Sequence, residues 1–384
     1  MSADEELVVR PVRSRRDWRA FHRVRRQIYR HDPHAVLPLV RDERLALDPE
    51  AHPFYEHAER EVFLCWRDRR PVARIAAIYD RLHHEHYGDD VGFFGFFETP
   101  DEPHVARLLL EAAQKWLADR GCGAMRGPVS PSMKGEFGVQ VSGHQDPPYV
   151  MMAHTPAYYD TLLEGLGFQV AKTFYAFRYD SDVLSRTQSH YEDVSRVCER
   201  VAQRHPEVRV RTVDVRHLTR EIHRVNQLAN RVRVPVWGFV PLTDAELEHM
   251  ANELRRVLDP RLFVLAEREK ELVGYLIAVP DPNWALRRTV GSADFLRIPQ
   301  VLFWLRRTPR VRVFALGAHE KYRHAGVTAL LLKRMFDEGV SWVKEAELSW
   351  VVEDNMRSLR AIQRLMPAKR YKSYRLYDRA MGPF

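Results

Sequence analysis

The sequence predicts an α/β protein of two domains, each a mixed and mostly antiparallel sheet flanked by helices. Three observations lead there. A chain of 384 residues with 45% hydrophobic content is long enough for two cores of ordinary domain size. Along it, apolar residues alternate at period two in some segments and recur at period 3.6 in others. From about Val208 the order of elements begins again, which suggests duplication of one fold, although no residue-level repeat accompanies it.

In the first half, a strand (LVVRPV from Leu7) precedes a helix from about Arg16 to Arg30 and a loop bearing proline and histidine. A hairpin follows, EVFLCW then PVARIAAIYD, turning at Asp68-Arg69-Arg70. Next come an aromatic strand (VGFFGFFE), a helix from about Glu102 to Arg120, the strand AMRGPV, a long loop, a helix ending at Gly165 and Gly167, and the strand AKTFYAFRYD. Leu108, Leu109, Ala112, Ala113 and Trp116 share one face of the helix after Glu98, and Gly121 follows its end. The second half reads as strand (VRVRTVDV), helices from His217 to about Asn230 and from Asp244 to Val257, and a hairpin (RLFVLAEREKELVGYLIAV). An apolar, basic insertion at 282–310 comes next, then strand, loop, helix, strand, helix and strand from Arg310 to Arg375. The expected division is residues 1–180, a partly helical connector at 181–207, and 208–384.

Sixty basic against 52 acidic residues leave a formal charge of +8, an excess that suits an anionic partner: a polyphosphate cofactor, an anionic lipid surface or nucleic acid. Nucleic acid is not expected, because there is no zinc-finger spacing, RNP-like strand or helix-turn-helix. Cys65, Cys122 and Cys198 lie far apart without CxxC or Cys/His ligand spacing, so neither a disulfide framework nor a structural zinc is indicated. No uncharged apolar run approaches the roughly 18 residues of a spanning helix, and the first residues do not resemble a secretory leader. A cytoplasmic location is expected, with peripheral association at the inner membrane.

The strand VRVFALGA runs through Glu320-Lys321-Tyr322-Arg323-His324-Ala325-Gly326-Val327-Thr328-Ala329 into a leucine-rich helix. A turn whose amides converge at a helix N-terminus binds phosphate through aligned donors and the positive end of the dipole. This loop resembles the acetyl-CoA loop of the GNAT superfamily, Arg/Gln-x-x-Gly-x-Gly/Ala, with Arg323 and Gly326 in their slots. Thr328 departs at the final small position, and His324 stands where a further glycine is frequent. Downstream, AELSWVVEDNMRSLRAIQRLM resembles the GNAT pattern of a strand ending at an asparagine, Asn355, that caps the next helix. The family's frequent catalytic tyrosine falls on Ile362, so a hydroxyl general acid is absent there.

The segments HPFYEHAE, GFFGFFET, MRGPVSPSMKGEFGVQV, DPPYVMMAHTPAYYDTLLEGLGF, WGFVPLTDAEL, PDPNWALRR and AELSWVVEDN with KRYKSYRLYDR resemble a family of bacterial tandem-GNAT proteins that includes the bacterial ceramide synthases. The resemblance covers about residues 7 to 380. It implies two tandem GNAT-like domains and transfer of a long fatty acyl group from acyl-CoA, as co-substrate, to the amine of a sphingoid base. Other readings are acylation of an amino acid or small amine, and a degenerate pair that senses acyl-CoA. Two departures stand out: Ser132-Met133-Lys134-Gly135-Glu136 in place of an asparagine-rich run, and Pro235-Val236 ahead of Trp237.

Acyl transfer to an amine needs a polarised thioester carbonyl, a neutral amine and a destination for the proton. The GNAT resemblance assigns the carbonyl to backbone amides at Leu316, Gly317 and Ala318. Candidate bases are Glu136, in a loop flanked by glycines; His319, after that strand; and Glu353, which with Asp354 also suits the N-terminus of the following helix. Tyr149, Val150, Met151, Met152, Tyr158 and Tyr159 form an aromatic and polarisable group fit either to line an acyl tunnel or to fill a core. In the insertion, Phe303 and Trp304 sit among apolar residues edged by arginines, a composition of a membrane-interface helix or of a buried crossing helix. Trp237, Phe303 and Trp304 join the substrate-binding candidates. The run His83-His84-Glu85-His86 lacks HExxH spacing and is expected to be a solvated turn rather than a metal site. Cys122 has no histidine nearby, so no covalent acyl-enzyme is expected.

Overall fold

The computed structural model describes residues 6–180, 188–231, 237–289, 294–323, 326–338, 342–365 and 368–384. The chain divides into two compact units, Met1–Phe174 with Lys372–Phe384, and Tyr175–Tyr371. The last strand thus joins the first unit from Lys372 onward, where the sequence had placed it wholly in the second domain. An open strand edge explains the difference: Tyr377 pairs with Gly127 and Ala380 with Ala124, and Arg126 grips Asp378 at 2.7 Å.

The first unit runs β1 (Leu7–Pro11), α1 (Arg15–Ile28), α2 (Val40–Leu45), β2 (Ala58–Arg67), β3 (Arg70–Asp80), α3 (Arg81–Tyr87), β4 (Val91–Glu98), α4 (Pro103–Ala118), β5 (Ala124–Gly127), β6 (Val129–Ser130), β7 (Glu136–Phe137), β8 (Val139–Ser142), α5 (Tyr159–Gly165) and the start of β9 (Gln169–Asp180). Strands β1 to β4 are antiparallel neighbours in sequence order, and β4 to β5 is parallel. Helix α1 starts at a capping box, Ser14 with Asp17, and buries Ala20, Phe21 and Val24 among outward arginines. Helix α4 begins with Pro103 at its first turn and buries Val105, Ala106, Leu109, Leu110, Ala113 and Leu117. Its core stripe is therefore rotated from the predicted one, with Leu108, Ala112 and Trp116 only half-buried at the margin. These side chains close over Ala73, Ile75, Ala77 and Phe94 to make the core.

The second unit continues with α6 (Gln188–Arg204), β10 (Val208–Thr212), α7 (Leu218–Arg231), α8 (Asp244–Val257), β11 (Phe263–Arg268), β12 (Glu271–Pro280), α9 (Pro282–Arg287), α10 (Asp294–Leu305), β13 (Arg310–Ala318), α11 (Glu320–Arg323), α12 (Val327–Asp337), β14 (Glu345–Val352), α13 (Met356–Leu365) and the start of β15 (Lys369–Ala380). Strands β10 to β13 are antiparallel in order, and β13 to β14 is parallel. The sheet carries a core on each face. Val264, Ala278, Val313 and Leu348 pack with Val327 and Leu331 of α12, while Phe263, Leu265 and Ile277 pack with Ile222 of α7 and Leu247 of α8. Much of the expected connector is α6, whose Val201 reaches Gly326.

The His83-His84-Glu85-His86 run is a helix, α3, and not a solvated turn. Asp80 caps its start by accepting from Leu82 and His83, and Gly88, at φ 66°, ends it. His83 is buried beside Asp89, and burial lowers its pKa. Among the described residues no group of three His, Cys, Asp or Glu side chains is arranged to hold a metal ion.

Candidate active site

In the second unit, β13 and β14 pair only from Arg310–Val313 against Glu345–Leu348. On its other side β13 stays paired with β12 to Ala318, with a register shift beside Phe314. The β14-facing edge of Phe314–Gly317 therefore lies beyond the parallel pairing. Leu316 is exposed, Gly317 is half-buried and Ala318 is buried. A side chain at Gly317 would come within 2.6 Å of the Tyr275 hydroxyl, so glycine keeps the strand flat against β12.

At the start of α12, Gly326 takes φ 84°, and its carbonyl accepts from Ala329 at 2.9 Å. A Cβ there would lie 2.6 Å from Val201 Cγ2. Val327 is buried and Thr328 half-buried. His324, Ala325 and the side chain of Arg323 lie outside the described residues. Because both φ and space exclude a side chain, Gly326→Ala is expected to cost about 1–3 kcal/mol and to weaken coenzyme A binding about tenfold. Thermal melting and calorimetric titration with coenzyme A check the two effects.

The last paired rungs of β13 and β14 hold a buried ion pair. Arg312 Nε lies 3.0 Å from Glu347 Oε2, and Arg312 also donates to Ser349 Oγ at 2.9 Å. Burial, only partly offset by Arg312, pushes Glu347 up to about 7 from 4.5. With the folded value raised, Glu347 contributes its stability below pH 4.5 and loses it as pH rises through 7. Across that window the loss is about 3 kcal/mol, so denaturant titrations should show a pH slope in the native protein that Glu347→Gln lacks.

The first unit places its charged side chains around a cavity of about 40 Å³. Its lining includes Arg25 of α1, Tyr29 at the C-cap of that helix, Arg74 of β3, Glu98 at the end of β4, Glu136 of β7 and His154. Arg25 reaches three carboxylates, Glu136 at 3.0 Å, Glu98 at 3.4 Å and Glu43 at 3.6 Å. Arg74, fully buried, holds Glu43 at 2.7 Å and Glu98 at 3.6 Å. Burial alone would raise Glu43, but Arg74, His22 and Arg25 hold it well below the usual carboxylate range. For Glu98 burial wins, and its pKa is raised despite both guanidiniums. Tyr29 donates to the His154 carbonyl at 2.8 Å, and His154 Nε2 meets Asp32 at 2.7 Å. Three carboxylates thus share two guanidiniums and the His22 imidazole, with Glu98 the one that burial shifts toward its neutral form.

The sequence and fold agree with known proteins in kind. The Acetyltransferase (GNAT) family model matches residues 222–366. A relative named bacterial ceramide synthase, from Caulobacter vibrioides (strain NA1000 / CB15N), is 28% identical over 390 residues, covering 99% of each chain. Protein YghO of Escherichia coli (strain K12) is 26% identical over 381 residues, covering 97% of this chain and 95% of its own. Among solved structures, a tandem GNAT protein from the clavulanic acid biosynthesis pathway matches with a TM-score of 0.58 at 12% identity, covering 99% of this chain and all of that one. Residues 222–366 thus match a GNAT domain, and the fold along the whole chain is that of a tandem GNAT protein.

Within this chain the remaining predicted residues fall into place unevenly. Asn355 Oδ1 accepts from Ser358 at 3.1 Å and its carbonyl from Leu359, so it caps α13. Glu353 is half-buried between β14 and that cap. His319 Nδ1 accepts from the Lys321 amide at 3.3 Å, which stabilises the turn into α11. Ile362 packs against the core. The expected acyl-lining group is dispersed: Tyr149 and Met152 are buried, Met151 is exposed, and Tyr158 donates to the Thr99 carbonyl at 2.7 Å. Of that loop it is Ala153, His154 and Thr155, just downstream, that line the cavity. Trp237 is half-buried, Phe303 faces solvent, and Trp304 stacks edge-on against Trp284 at 6.1 Å. Cys122 is buried with its thiol pushed up to about 11 by desolvation, unlike an activated nucleophile.

Sequence reasoning passed over Arg25, Arg74, Glu43, Glu98 and His154. Only Glu98 carried a signal, as the one acid closing an otherwise uncharged aromatic strand.

Proposed function

We propose that this protein transfers a long fatty acyl group from acyl-CoA to the amine of a sphingoid base, a reading that its relative's name, bacterial ceramide synthase, supports. What supports an amine acceptor is the first unit's polar cavity, where the half-buried Glu136 stands beside Arg25, Glu98 and His154 as a carboxylate able to meet an ammonium group. End-to-end similarity to a bacterial ceramide synthase supports the acyl donor and the class of acceptor. The second unit's loop at Gly326 is assigned to coenzyme A.

Glu136, half-buried and reached through Arg25, receives a proton from the bound ammonium. The freed lone pair attacks the thioester carbon, the C–S bond breaks, and the second amine proton leaves with the coenzyme A thiolate. Incubation with palmitoyl-CoA and a panel of amines tests the acceptor. Amide should form with sphinganine; amide formed only from amino acids or short amines would replace the sphingoid reading.

A further inference from the structure

We propose that the outward face of α10 docks this protein on an anionic lipid bilayer. Leu296, Ile298, Leu302 and Phe303 are 44%, 45%, 49% and 50% exposed, with Pro299 exposed among them. At helical spacing these residues occupy one half of the cylinder, while Leu305 is buried and Val301 and Trp304 are half-buried on the other. The helix therefore packs by one side and turns a continuous apolar surface outward.

The edge of that surface is basic and aromatic. Arg306 and Arg307 are exposed at its C-terminal end, Arg307 lying 3.8 Å over the Phe303 ring. Arg288 lies 3.2 Å over Trp284 and 5.7 Å from Trp304. From Pro282 to Arg310 the sequence has six arginines and a single acid, Asp294. A protein partner would ordinarily meet a rim of mixed charge; this rim is complementary to lipid phosphates, with apolar side chains to enter the acyl boundary. No described helix is long and apolar enough to cross a membrane, and α10 at 12 residues fits the interface plane instead.

Flotation of the full chain with vesicles tests this docking. The protein should float with phosphatidylcholine–phosphatidylglycerol vesicles, and less well as salt rises. Leu302→Glu with Phe303→Glu should lower partitioning about tenfold or more. Arg306→Gln with Arg307→Gln should lower it about thirtyfold on the anionic vesicles and little on phosphatidylcholine alone. All four side chains are exposed, so circular dichroism should be unchanged. Failure of the native protein to float, or undiminished flotation of the Leu302/Phe303 variant, overturns the proposal. So does a dimer in sedimentation velocity that this variant dissolves, since a second copy would then cover the face.

Discussion

Replacing Arg74 by methionine is expected to cost the first unit about 3–5 kcal/mol, a large share of the stability of a domain. The guanidinium has no solvent exposure, donates to the Phe21 carbonyl at 3.2 Å, and lies 4.3 Å over the Phe21 ring. Methionine would fill much of the volume but leave Glu43 and Glu98 with Arg25 as their remaining guanidinium. Glu43 makes the penalty steepest. Its depressed folded pKa contributes stability above the ordinary carboxylate range that is lost as pH falls below it, and Arg74 is the largest favourable cause. Urea titration checks the prediction, with Arg41→Met as control because its ion pair to Asp42 is exposed and should change stability by no more than about 0.5 kcal/mol. A loss below about 1 kcal/mol for Arg74→Met would show that the cluster does not hold the unit together.

Glu136→Gln is expected to lower kcat/KM for acyl transfer about 10²–10⁴-fold while coenzyme A binding is unchanged. The amide keeps the shape of the side chain and its bond to Arg25, so Glu43 and Glu98 still neutralise that guanidinium. What is lost is the proton acceptor. A parallel loss from Glu98→Gln with little effect at Glu136 would move the role deeper into the cavity; a fall in coenzyme A affinity would mean that the change disturbs the fold.

Local signals made much of the fold legible. Asn355 before α13 and Gly326 before α12 act within a few residues, where capping and φ preferences operate. Helix α3 was equally visible, through Asp80 and Gly88, but its histidines drew attention to metal spacing instead. The buried cluster left no such trace. Arg25, Glu43, Arg74, Glu98 and Glu136 come from five elements scattered over more than a hundred residues, and in sequence each resembles a solvated charge. Only folding brings them together. For the insertion, composition allowed a buried or an outward helix, and the exposure of Leu302 and Phe303 selects the outward one.

Amide formation from an acyl thioester and a long-chain base is the proposed reaction. Mass spectrometry of purified protein with palmitoyl-CoA and sphinganine should find the N-acyl product and free coenzyme A in equal amounts, both falling together in Glu136→Gln. Coenzyme A binding without amide from any long-chain base would contradict it.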